Sequence, residues 1–210
     1  MLIEIFSDVV CPWCYIGKRR LDAVLDGYAP GTFEVRWRAF QLYPMLPEAG
    51  MPREAFMRAR FGRTDAGGIY ARILDEARPL GLDLDFERIA VSPNTRRAHR
   101  MLAWASGPRQ HALAEALFSA YFREGIDVGD PAALVEVAVS AGFDRGSVVE
   151  AVATGAGDDA VAQDLAQAEQ AEVTGVPFYV LAERFAIPGA QPPDVLRQLL
   201  DRARTRLATG

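Results

Sequence analysis

Cys11 and Cys14 are the only cysteines in the 210-residue chain, and they stand three apart in the run Cys11-Pro12-Trp13-Cys14. Two cysteines scattered at random in a chain this long fall at that spacing in roughly one arrangement in a hundred, so the spacing carries information. Two thiols one helical turn apart can cycle between dithiol and disulfide: one attacks an outside disulfide, and the other resolves the mixed disulfide from within the chain. That chemistry needs a thiolate. Ile16, Leu21, Val24 and Leu25 recur at helical spacing, so Pro12 to Gly27 reads as an amphipathic helix with Pro12 in the first turn, where a missing N–H costs nothing. Cys11 then sits at the helix start. Unpaired N–H groups and the positive end of the helix dipole favour a thiolate there, and such motifs lower thiol pKa values from about 8.5 to between about 3.5 and 7. Cys11 is the expected nucleophile and Cys14 the resolving thiol, with Pro12 and Trp13 expected at the substrate.

Other uses of two cysteines fit less well. A structural zinc site needs about four ligands, and only His99 and His111 remain as soft donors, far along the chain and without a second close pair, so no metal is expected. A structural disulfide across so short a loop would restrict the unfolded chain very little. Two unreactive buried thiols do not account for the proline and tryptophan between them.

Half of the residues are hydrophobic, about a quarter are charged, and the formal net charge is −5. Such a chain buries a sizeable core as one domain, or as one domain with a large insertion. The acidic balance argues against nucleic-acid binding, which needs a concentrated positive footprint. No apolar run approaches membrane-spanning length and no basic leader precedes Leu2, so neither a membrane partner nor secretion is expected. The expected location is cytoplasmic, where a dithiol points to catalysis rather than to a structural bond.

The elements that must position the cysteines follow from periodicity. Leu2 to Ser7 reads as a buried strand, and Asp8-Val9-Val10 as the turn that delivers Cys11. Thr32 to Phe40 alternates Phe33, Val35, Trp37 and Ala39 against Glu34, Arg36 and Arg38, a strand signal. Strand, helix and strand make a βαβ unit with parallel strands and a right-handed crossover. Gln41 to Gly50 is a proline-punctuated loop. Beyond it the pattern is helical: Met51 to Phe61; Ala66 to Leu80, with Ile69, Tyr70, Ile73, Leu74 and Ala77 on one stripe; Asn94 to Ala105; His111 to Arg123; Ala132 to Ala141 behind an Asp130-Pro131 cap; and a helix capped by Asp144 through Val152. No strand pattern interrupts this block. Asp158 to Glu172 is a further helix, Phe178 to Ala182 and Arg184 to Ile187 a hairpin, and Pro192 to Leu207 a closing helix. The expected fold is α/β: a thioredoxin fold, with a mixed central sheet from residues 1–43 and 156–210, and an all-helical insertion, 44–155, serving as a lid.

Val176-Pro177 supplies the second piece of the site. Proline at the first residue of a strand is allowed because the ladder has not yet begun. In a thioredoxin fold the corresponding loop carries a cis proline facing the dithiol, so a cis Val176–Pro177 bond is expected, holding the Val176 backbone extended for pairing with a bound peptide or glutathione. Cys11-Pro12-Trp13-Cys14 after a short strand, Gly175-Val176-Pro177-Phe178-Tyr179-Val180, Gly189-Ala190-Gln191-Pro192, and Asn94-Thr95 with Ala98-His99-Arg100 resemble the DsbA-like oxidoreductases of the FrnE-like group. The resemblance covers essentially the whole chain. It implies a dithiol–disulfide oxidoreductase acting on protein or small-molecule disulfides, with Cys11 the nucleophile, Cys14 the resolving thiol, Pro177 the cis proline, and Val176 and Gln191 near the substrate. Two departures stand out. Pro188 replaces the usual serine before Gly-Ala-Gln, removing a hydroxyl and an N–H, and no leader like that of the secreted relatives is expected, so their periplasmic oxidative folding is not expected to transfer.

Other polar residues have plainer readings. His99 with Arg96, Arg97 and Arg100 forms either a basic wall for an anionic substrate such as glutathione or a solvated helix face. His111 has no partner in sequence. Gln41 ends the second strand near the site, and Trp37 and Trp104 read as core aromatics. Two rival functions remain open. One is a glutathione-dependent isomerase like the 2-hydroxychromene-2-carboxylate isomerases, which place serine at the first cysteine position. The other is a chaperone-like module whose helices grip hydrophobic chains. No bound cofactor is expected beyond glutathione as a co-substrate, and monomer and homodimer are equally open.

Overall fold

A computed structural model describes residues 1–62 and 67–209. Strand β1 (Leu2–Ser7) has a neighbour on each edge, and five of its six residues are buried. Helix α1 (Pro12–Leu25) crosses over to β2 (Glu34–Ala39), which pairs parallel with β1 from Leu2 opposite Glu34 to Ser7 opposite Ala39. Trp37 and Ala39 of β2 are buried while Glu34 and Arg36 face solvent, as the period of two demands.

The chain then leaves the sheet. Met51–Pro52 (β3) and Val91–Ser92 (β4) form a two-residue antiparallel ladder, with α2 (Arg53–Phe61), α3 (Gly67–Ala77) and a 3-10 turn (Arg78–Leu80) between them. This ladder corrects the expectation of an unbroken helical block, because two residues are too few to show a period. Ala66 and the side chain of Ile69 lie outside the described residues. Helices α4 (Arg96–Trp104), α5 (Gly107–Glu124), α6 (Pro131–Ser140), α7 (Arg145–Thr154) and α8 (Asp158–Gln170) follow. Helix α5 starts earlier than the expected His111: Gly107-Pro108 reads as a break, but proline is tolerated in a first turn. Asp130 and Asp144 cap α6 and α7, their carboxylates accepting from the N–H groups of Ala133 and Ser147. Gly125 ends α5 at φ 70°, and a Cβ there would meet the Arg88 carbonyl oxygen at 2.3 Å, so only glycine fits.

The last segment returns to the sheet. β5 (Phe178–Leu181) pairs antiparallel with β1, β6 (Phe185–Pro188) pairs antiparallel with β5, and α9 (Pro193–Thr209) packs beside α1. The order is β2-β1-β5-β6. Pro188 sits on the outer strand, where a missing N–H is tolerated. The opposite edge is closed by side chains: Gln110 accepts from the Trp37 N–H at 2.9 Å and Asp164 accepts from the Ala39 N–H at 2.8 Å. A single buried cluster runs from Ile5 of the sheet through Tyr15 and Trp37 to Phe118, Leu134 and Val148 of the inserted helices. The insertion therefore shares its core with the sheet. No helix among the described residues is long and apolar enough to cross a membrane.

Candidate active site

Cys11 is the N-cap residue of α1, with an extended backbone (φ −93°, ψ 112°) and Pro12 in the first turn. Its N–H donates to the Asp8 carbonyl at 2.9 Å and its own carbonyl accepts from the Cys14 N–H at 3.0 Å, so the turn and the first helical bond hold both cysteines. Both are free thiols; Cys11 is 4% exposed and Cys14 fully buried. Burial, and then the adjacent Cys11 sulfur, push the Cys14 thiol well above its ordinary pKa; Ser7 and the backbone of Asp8 lie close enough to oppose that shift.

The Val176–Pro177 bond is cis. Its loop faces α1, and the Cys11 thiol donates to the Val176 carbonyl at 3.6 Å. Gly17 makes the close approach possible: a Cβ there would lie 2.5 Å from Tyr179 Oη and 2.9 Å from Pro177 Cγ. The loop is braced from behind, since the Gly189 N–H donates to the Pro177 carbonyl at 2.8 Å and Arg20 donates to the Ala190 carbonyl at 2.6 Å. Gln191 belongs to this brace, its side chain donating to the Pro188 carbonyl at 2.6 Å.

His99 corrects both readings made of it. It neither walls a substrate site nor faces solvent: it is 2% exposed, with Nε2 at 3.4 Å from Asp8 Oδ1, while Asp8 Oδ2 accepts from the Leu42 N–H at 2.8 Å. The neighbouring arginines are engaged too, Arg96 and Arg100 with Asp158 and Arg97 with Glu48. Gln41 donates to Asn94 Oδ1 at 3.0 Å, and Asn94 donates to the Leu46 carbonyl at 2.8 Å, pinning the loop after β2 over the site. His111, without a partner in sequence, bridges Trp37 Nε1 (3.1 Å) and Asp22 (2.8 Å) away from the cysteines. No three His, Cys, Asp or Glu side chains converge among the described residues.

Cys11, Pro12, Trp13 and Val176 open onto a pocket of about 350 Å³ whose far wall comes from Tyr43 of the loop after β2 and, in the insertion, chiefly from Phe56, Tyr70, Phe86, Tyr121 and Phe122. The buried Asp8, Ser7, Gly17 and Tyr179 and this aromatic wall were not read as site residues. The local signals are Asp8, in the turn that delivers Cys11, and Tyr179, two residues after Pro177.

Comparison with known proteins agrees with this geometry. The model of the DSBA-like thioredoxin domain matches residues 2–201. A solved structure described as a probable DsbA oxidoreductase from Streptomyces coelicolor superposes with a TM-score of 0.85 at 33% identity, covering 98% of this chain and 90% of that one. The uncharacterized protein YwbO of Bacillus subtilis is 28% identical over 204 residues, 94% of each chain. The cytosolic disulfide reductase DsbM from Pseudomonas aeruginosa, solved with GSH, shares the fold at 19% identity, with a TM-score of 0.68 and coverage of 99% of this chain and all of that one. With the family model spanning nearly its whole length, the chain belongs to the DsbA-like thioredoxin family of thiol–disulfide oxidoreductases.

Proposed function

We propose that the protein exchanges disulfides through Cys11 and Cys14, acting on protein or small-molecule disulfides. The observation that carries this reading is the stacked pair at the start of α1: Cys11 on the pocket and against the Val176 carbonyl, Cys14 fully buried behind it. In the reducing direction the Cys11 thiolate attacks one sulfur of the substrate, its S–S bond breaks and one thiolate leaves. Cys14 then loses its proton to water or to a departing thiolate and attacks Cys11 Sγ. The second substrate thiolate is released, a protein disulfide forms, and two electrons have passed to the substrate. The oxidising direction is the same sequence reversed. Pro177, by holding Val176 beside Cys11, positions an extended substrate for main-chain pairing.

A cytoplasmic location with glutathione as recycling co-substrate fits this reading, and the GSH present in the DsbM structure of the same fold supports it. Equilibrating the protein in graded glutathione buffers and counting free thiols by mass tests it. A reversible two-electron transition is expected; a potential near about −120 mV marks an oxidant and one near about −270 mV a reductase. If the pair never closes reversibly the exchange reading fails. A glutathione-dependent isomerase would keep its activity in Cys14→Ser, and a chaperone-like module would keep suppressing aggregation with both cysteines replaced.

A further inference from the structure

Disulfide exchange makes no use of a charge that the pocket nevertheless holds. Arg53, the first residue of α2, is the one charged side chain among the described residues lining it. Its Nη1 donates to Ser92 Oγ at 3.1 Å, its Nη2 donates to Tyr70 Oη, and its backbone N–H donates to the Ala90 carbonyl at 2.8 Å. The guanidinium also lies over the Phe56 ring, 5.5 Å from its centroid. All these partners are neutral, and no carboxylate pairs with Arg53 among the described residues. The charge is held in place and left uncompensated, which in a partly desolvated site favours an anion.

Tyr121 adds a second donor. It is 2% exposed, its hydroxyl makes no hydrogen bond among the described residues, and it lines the same pocket. Burial raises its pKa, with Arg53 close enough to oppose the shift, so the phenol stays protonated and can donate. The remaining wall is aromatic and apolar, and the volume of about 350 Å³ suits a small molecule.

We propose that this pocket selects small aromatic disulfides bearing a carboxylate, with the ring against the aromatic wall, the carboxylate on Arg53 and Tyr121, and a sulfur at Cys11. The proposal rests on the exchange reading and names its substrate class. The reaction is the balanced one above: Cys11 displaces one aryl thiolate, Cys14 displaces the other, and the dithiol closes to a disulfide.

The test is a single-turnover measurement with fully reduced protein, so that no other reductant is needed. Thiolate release is followed by absorbance with two probes, the dianionic dithiobis(nitrobenzoate) and the uncharged dithiodipyridine. The readout is the ratio of the two rates for each protein, which cancels losses common to both probes. Arg53→Gln is expected to lower the anionic-to-neutral ratio about tenfold, equivalent to about 1.4 kcal/mol, with Arg53→Lys recovering part of it. Tyr121→Phe, which keeps the ring, is expected to lower it by a smaller factor and serves if the arginine variants do not fold. An unchanged ratio in folded Arg53→Gln, or in Tyr121→Phe where the former does not fold, overturns the proposal and points to protein disulfides held by the Val176 backbone alone. If neither probe oxidises the native protein, it is the exchange reading that has failed.

Discussion

The two sides of the cysteine pair are built from opposite materials. In front of Cys11 lies an open pocket with an aromatic wall, contributed largely by the inserted helices. Behind Cys14 the chain packs Ser7, Asp8, His99 and Tyr179, all buried, with several of their polar atoms lacking a hydrogen-bond partner among the described residues. The front leaves room beside Cys11 for a molecule that can lie against aromatic rings. The back tolerates no change of charge or volume without cost, because buried polar groups lose their hydration and depend on each other. One side is thus open to an incoming molecule and the other holds Cys14 in place.

That contrast can be broken most severely at the sulfurs. Cys11→Ser should reduce exchange on the order of a thousandfold or more, as loss of a covalent nucleophile does. Cys14→Ser should instead accumulate a mixed disulfide on Cys11, visible by mass. Equal loss without an adduct would mean that the two thiols have no division of labour.

Removing the carboxylate behind the pair comes next. Asp8→Ala leaves the buried Leu42 N–H without its acceptor and removes the neighbour of His99, and should cost about 1–3 kcal/mol in denaturant unfolding. A loss below about 1 kcal/mol would show that the buried layer is not a stability element. Gly17→Ala tests the contact between α1 and the Pro177 loop. Alanine ordinarily favours a helix by about 1 kcal/mol. Here its Cβ collides with Tyr179 and Pro177, so a destabilisation of about 1–3 kcal/mol is expected, together with slower exchange. A stabilised variant would contradict the tight approach.

A pH series sharpens the comparison further. The Cys14 pKa is raised, first by burial, so the folded reduced protein holds that proton more tightly than the unfolded chain does. The corresponding stability is complete below the ordinary thiol value of about 8.5 and disappears as pH rises through the raised folded value. Relative to Cys14→Ser, the reduced native protein should therefore lose stability above about pH 8.5, and release of substrate from Cys11 should keep accelerating there. Parallel curves for the two proteins would remove Cys14 as the titrating group.

The smallest effect belongs to the junction of α1 and α5, away from both sides. Burial pushes the Asp22 carboxyl up, but His111 and Lys18 outweigh it and the net shift is downward. The contribution is present above about pH 3.9 and lost as pH falls through the lowered folded value. His111→Ala should cost under about 1 kcal/mol near neutrality and narrow that acid-side dependence.

The first strand, the dithiol helix, the hairpin and the closing helix were legible because each has a period or a cap of its own. Leu2 to Ser7 matches β1 in full, and Asp130 and Asp144 announced α6 and α7 through a side chain three residues from the N–H it serves. The cysteine spacing and the Val176-Pro177 segment, which the structure brings together, are legible by the same local logic. His99 was misread because its sequence neighbours are arginines, and helix periodicity does not reveal which face meets Asp8, ninety-one positions earlier. Arg53 and the aromatic wall gave no local sign at all, since they become a pocket only when α2, β4 and α5 converge on Cys11. By itself, the sequence determined the cysteine pair and the elements that carry it, through interactions spanning a few residues. What lies in front of that pair and what supports it from behind were decided only by tertiary packing, because both depend on residues far apart in the chain losing water together.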